Sequence, residues 1–336
     1  MRTALRHLAL LFTLLIGGAS YAAPEMRAAD APAPEWVAPA LPDGWVTLRH
    51  PGVTVHGAAV DERTLERILA HADAAVPRLA DALGVPIGGD VQIYVADTEA
   101  HFRDLQPGQT PEWADGTAWA SAGAIFLHHP RLRPGGARPL EVVLDHELVH
   151  VLLGRVFDPQ PVPRWLQEGM AQVYANETGP EVAERIIRGT VATAPLSLES
   201  LTRGFPNDAV LADLAYAQSA DFILWFRARY GEDTLRALVR QIAAGRTVEG
   251  AMLDLTGASL TTLGAVWRER LVSGSASLLP SHIHDVAFGL GAVGLIGLGL
   301  SRRRTTRERL TAWRRSDAGL RQIARELLRR RAAAVR

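Results

Sequence analysis

At 336 residues, with 48% hydrophobic and 21% charged side chains, the chain is long enough to bury one substantial core or two modest ones. It contains no cysteine, which excludes disulfides and thiol chemistry. All 36 basic residues are Arg, a uniformity that reads as coding bias, and they balance the acids to zero net charge.

Arg2 and Arg6 precede an apolar core from Leu8 to Ile16, and small residues follow, the pattern of a signal peptide over residues 1–22 cut after Ala22. The apolar run is short for an uncleaved anchor. Residues 23–43 are rich in Ala and Pro and read as a linker. A folded domain is expected over 44–273. Trp45–Leu48 and Val53–His56 flank Pro51-Gly52 and read as a hairpin. Asp61 is expected to cap a helix running to about Leu83, with Leu65, Ile68, Leu69, Ala72, Val76 and Leu79 on one face and Gly84 at its end. Val91–Val95 reads as a buried strand. Thr117 to Leu127 reads as one more strand, broken at Gly123 and ending in His128-His129. Adjacent strand residues face opposite sides, so these two histidines are poorly placed to share a metal. His50, His56, His71 and His101 have no ligand spacing.

The most informative stretch is Asp145-His146-Glu147-Leu148-Val149-His150. Leu140, Val143, Leu144, Leu148, Val151 and Leu152 give it helical periodicity, so His146 and His150 stand one turn apart on one side, close enough to grip one metal ion. Glu147 lies about 100° round the helix and is left for chemistry. A catalytic zinc usually takes three protein ligands, and Glu168 is the best candidate for the third. It lies eighteen residues after His150, beyond Pro159, Pro161 and Pro163, in a second apolar-periodic run from Trp165 to Tyr174. Gln172, four residues after Glu168, is the candidate to hold a ligand imidazole in position.

These two stretches together resemble the gluzincin metallopeptidases of the peptidase MA-like branch. The segment Pro163-Arg164-Trp165-Leu166-Gln167-Glu168-Gly169-Met170-Ala171 is similar to the glutamate helix of that family. The resemblance implies an α+β, zincin-like domain with a small mixed sheet, a metal-binding helix pair and a mostly helical C-terminal half. It implies one Zn2+ held by His146, His150 and Glu168, with Glu147 as general base, acting on a peptide or protein substrate. It also implies that the strand before the metal helix, around Trp119 and Ala120, pairs with extended peptides through its open edge.

The rest of the domain reads as helices over Glu181–Gly189, Asp208–Tyr230, Asp233–Ala244, Val248–Leu255 and Ser259–Leu271. Tyr216-Ala217-Gln218-Ser219 resembles a motif found downstream of the zinc site in the family. A phenol there is a candidate donor to the oxyanion of peptide hydrolysis, and a core tyrosine is the alternative.

Pro280 to Leu300 is 21 residues, roughly 31 Å as helix, which matches a bilayer core and predicts one transmembrane helix over 280–300. Residues 301–336 then hold 13 Arg against three acids, a net charge of +10, with an apolar stripe through Leu310, Trp313, Leu320, Ile323, Leu327 and Leu328. Positive flanks stay on the cytoplasmic side. The expectation is an exported, membrane-anchored peptidase whose basic amphipathic tail lies in the cytoplasm on anionic lipid, with no nucleic-acid role. The alternative is an inactive, zinc-stabilised binding domain tethered in the same way.

Overall fold

The computed structural model describes residues 37–108, 114–133, 138–192 and 194–273. The expected signal peptide, most of the linker, the 280–300 span and the basic tail lie outside them. Among the described residues no helix is long and apolar enough to cross a membrane.

Five short strands form one mixed sheet: β1 (Trp45–His50), β2 (Val53–Ala58), β3 (Val91–Ala96), β4 (Gly116–Trp119) and β5 (Ala124–His128), in the order β1-β2-β3-β5-β4. The two outer pairs are antiparallel hairpins, while β2, β3 and β5 run parallel. Alternation along the strands decides which face each residue occupies. Val53, Val55, Val91, Ile93, Val95, Ile125 and Leu127 belong to the main core. Tyr94, Ala96, Ala124 and Phe126 form a second, smaller cluster. The short helix α2 (Glu99–Asp104) covers that second face with Phe102.

Helix α1 (Glu62–Leu83) lies on the main face with nine buried apolar residues, and Gly84, in the left-handed region at φ 70°, ends it. Its start corrects one expectation. The Asp61 side chain makes no cap; Arg131 grips both its oxygens at 2.7 Å, a stronger charge-assisted use of the carboxylate. The expected broken strand from Thr117 to Leu127 is likewise two strands. A 3-10 turn over Ala120–Ala122 and Gly123 at φ 63° reverse the chain, so the glycine makes a hairpin and leaves β4 at the sheet edge.

Next come α3 (Leu140–Phe157), α4 (Arg164–Tyr174), α5 (Pro180–Ala192), α6 (Leu198–Arg203), α7 (Ala209–Tyr230), α8 (Glu232–Ala243), α9 (Val248–Thr256) and a last helix over 260–273. Of these, α6 had no counterpart in the sequence reading. Asp208 does cap α7, accepting from the amides of Val210 and Leu211. Helix α3 is apolar nearly all round because it is the centre of the fold, with the sheet and α1 on one side and α4 on the other. Buried Asp145 on α3 pairs with Arg78 at 2.6 Å and His71 at 2.8 Å on α1. Such a pair returns little net stability after desolvation, so apolar packing is the main force between the two helices.

The helical half is built on one close approach. Trp165 of α4 is fully buried, edge-on to Phe222 of α7, with its indole N–H on Thr202 at 3.0 Å. A Cβ added to Gly169 would lie 2.5 Å from the Ser219 carbonyl oxygen, so only glycine lets α4 and α7 touch backbone to backbone there.

Candidate metal centre and active site

The buried side chains Leu144, Leu148, Val151 and Leu152 tie α3 into the core, which leaves His146 and His150 facing α4 across a cavity of about 920 Å³. On α4, Trp165, Leu166, Met170 and Ala171 face inward and carry Glu168 to the opposite wall. His146 Nε2 and His150 Nε2 are 3.1 Å apart, and Glu168 Oε2 is 3.6 Å from each. Ligands about 2.0–2.1 Å from a tetrahedral zinc stand roughly 3.3 Å from one another, so these three atoms fit one such ion. Among the described residues they are the one group of three or more His, Asp or Glu donors that converges in this way.

Charge supports the same fit. Burial disfavours charge on His146, but the neighbouring Glu168 and Glu177 carboxylates outweigh it and push its pKa up to about 10. Burial likewise opposes charge on Glu168, yet the two imidazoles hold its carboxyl well below the usual range. The pocket's carboxylates thus favour positive charge between them, which a bound dication would supply in place of the imidazole proton. Glu147 behaves differently. Its carboxyl is pushed up by burial and by Glu168 and Glu177, against the pull of the two histidines. A raised proton affinity is what a general base needs.

Gln172 does not hold a ligand imidazole. Its side-chain N–H groups go to the backbone carbonyls of Glu168, at 3.3 Å, and Tyr216, at 3.0 Å, which fastens α4 to α7. The carboxylate beside that ring is Glu177: its Oε1 lies 3.1 Å from His146 Nδ1, an ion-pair contact off the line of the ring N–H. Arg138 pairs with the other Glu177 oxygen, and burial notwithstanding these two partners hold the carboxyl low. Glu177 sits past the end of α4, on a turn that passes through Asn176 at φ 59°. No periodicity reaches across such a turn, and the sequence carries no signal for it.

The other wall is β4. Asp115, Gly116, Thr117 and Ala118 line the cavity, and β4 pairs only with β5 among the described residues. A Cβ at Gly116 would lie 3.1 Å from Glu147 Cγ and 2.9 Å from Val143, so the strand backbone rests directly against the Glu147 side chain. Tyr216 reaches the cavity from α7; its hydroxyl accepts a hydrogen bond from Arg164 Nη2 at 2.5 Å, and burial together with Glu168 pushes its pKa up. His128 and His129 lie elsewhere. His128 packs on Phe102 and faces Glu99, while His129 Nδ1 accepts from the Arg131 amide.

A small mixed sheet beside a helix pair that faces two histidines and two glutamates into one cavity is a peptidase-like fold. The model of the Peptidase MA superfamily matches residues 71–273, and the chain belongs to that superfamily. The match is consistent with the gluzincin type. No curated protein matches the chain.

Proposed function

We propose that the chain is a membrane-tethered, extracytoplasmic zinc metallopeptidase. The observation that carries the reading is the convergence of His146 Nε2, His150 Nε2 and Glu168 Oε2 within 3.1–3.6 Å, with the buried Glu147 carboxylate next in sequence to the first ligand. Those three residues would hold the metal, with Glu177 steadying His146. Zinc, when bound, supplies Lewis acidity to the scissile carbonyl and to water. Glu147 takes the proton of the attacking water on its carboxylate and delivers it to the leaving amine. Its raised proton affinity suits both halves of that exchange.

The test is digestion of a peptide library by zinc-loaded protein. Cleavage products that vanish with a chelator and return with zinc are expected. A chain that is folded and zinc-loaded but cuts nothing overturns the reading in favour of a tethered binding domain.

Tyr216 is proposed as the donor to the carbonyl oxygen that gains charge. Its hydroxyl lies at the cavity and stays protonated. Tyr216→Phe should keep zinc and fold while kcat drops by ~10²-fold or more, because a donor aimed at developing charge acts in the transition state. Unchanged turnover would return Tyr216 to a packing role.

The anchoring part of the proposal rests on the sequence alone: the signal-peptide pattern, the apolar run 280–300 and the +10 charge after it. A reporter that works only outside the cytoplasm should be active when fused after Ser281 and silent when fused after Arg336. Activity at both points would show that 280–300 does not span.

A further inference from the structure

Arg164 touches two parts of the site at once. It is the first residue of α4, one turn before Glu168, and its Nε donates to Glu168 Oε1 at 3.3 Å while its Nη2 donates to the Tyr216 hydroxyl at 2.5 Å. Its guanidinium carbon lies 5.0 Å from the ring centre of Phe205 and 5.4 Å from that of Tyr216. Phe205 in turn meets Tyr216 edge-on at 5.0 Å. Two aromatic contacts and two hydrogen bonds leave the guanidinium plane little freedom.

The chemistry differs at the two ends. A guanidinium carries only donors, so the phenol oxygen must accept from it. The hydroxyl hydrogen of Tyr216 is therefore not spent on Arg164 and is free to point into the cavity that both side chains line. At the other end Arg164 takes Oε1 of Glu168, so that Oε2 is the oxygen turned toward His146 and His150. Arg164 is 37% exposed and makes its i,i+4 pair with Glu168 at 3.3 Å, a contact that adds little to helix stability, so helix stabilisation alone does not account for this side chain.

Resting on the zinc-peptidase reading above, we propose that Arg164 is a positioning residue that keeps Glu168 to a single ligating oxygen and keeps the Tyr216 hydroxyl a donor toward the substrate. One side chain thus sets the spacing between metal ligand and oxyanion donor. Burial holds the phenol protonated, so its hydrogen is present across neutral pH. Lysine cannot do the same, because one ammonium lacks the planar fork that reaches both partners in a fixed relation.

The experiment uses the full chain with cobalt(II) in place of zinc, since cobalt's visible bands report its coordination without any substrate. Arg164→Ala and Arg164→Lys are each made alone and with Tyr216→Phe, and the zinc-loaded forms are assayed on peptide. Band intensity should fall in both Arg164 variants as Glu168 gains a second contact to the metal. The kcat should fall ~30-fold or more with KM within about 3-fold, and Tyr216→Phe should cost under about 3-fold once Arg164 is gone. If Arg164→Ala does not fold, Arg164→Lys carries every comparison. Superimposable cobalt spectra, or a Tyr216→Phe cost that is the same with and without Arg164, overturns the proposal while the peptidase reading stands. A wild-type chain that takes up no cobalt, or takes up metal and cleaves nothing, overturns that reading and the proposal with it.

Discussion

Glu147→Gln should leave zinc at one per chain and lower peptide hydrolysis by ~10² or more. Glutamine keeps the shape of the side chain, which matters here because Glu147 Cγ lies close against the backbone at Gly116. What it loses is the oxygen that takes up a proton. The three donor atoms proposed to hold the metal belong to other residues, so metal content by elemental analysis and initial rates on peptide should separate cleanly. Full activity in this variant would sink the mechanism whatever the metal content.

Glu168→Ala should give the opposite pattern, with metal lost first. Removing one of three protein ligands weakens binding steeply, and the stability contributed by zinc weakens with it. At zinc a hundredfold above its dissociation constant, the wild type gains about 2.7 kcal/mol from binding; a variant bound a hundredfold more weakly gains only about 0.4 kcal/mol at the same concentration. Thermal melts with and without zinc should therefore show a large shift for the wild type and almost none for the variant. The metal-free melts should lie closer together, since the lost carboxylate was facing the imidazoles and not packing the core. A variant that kept stoichiometric zinc and the full thermal shift would mean that the third ligand lies elsewhere.

The parts of this fold that were legible in the sequence are those in which local periodicity and burial agree. The face of α1, the β1–β2 hairpin, β3 and the position of the two histidines on α3 all follow from patterns of two or of 3.6 residues. Glu168 was legible because the proline-rich connection forces a second helix and its apolar stripe fixes which side faces in. What failed depended on contacts between distant segments. Asp61 looks like a helix cap until Arg131, seventy residues on, claims its carboxylate. Gln172 has the spacing to steady a histidine, but α7 offers its side chain a nearer backbone carbonyl. Glu177 is the side chain beside His146, and it is placed there by a turn and by Arg138 rather than by any helical repeat. The parallel run of β2, β3 and β5 is equally a matter of long-range pairing.

Gly116 bears on how such a site would choose what it cuts. Because the strand lies against Glu147 with no side chain between them, a peptide that extended the sheet along β4 would be metered by backbone spacing, one bond brought to the base whatever its flanking residues. A device of that kind measures position along a chain and is nearly blind to sequence. Choice would then fall to encounter: which unfolded or extended segments come within reach of the open edge.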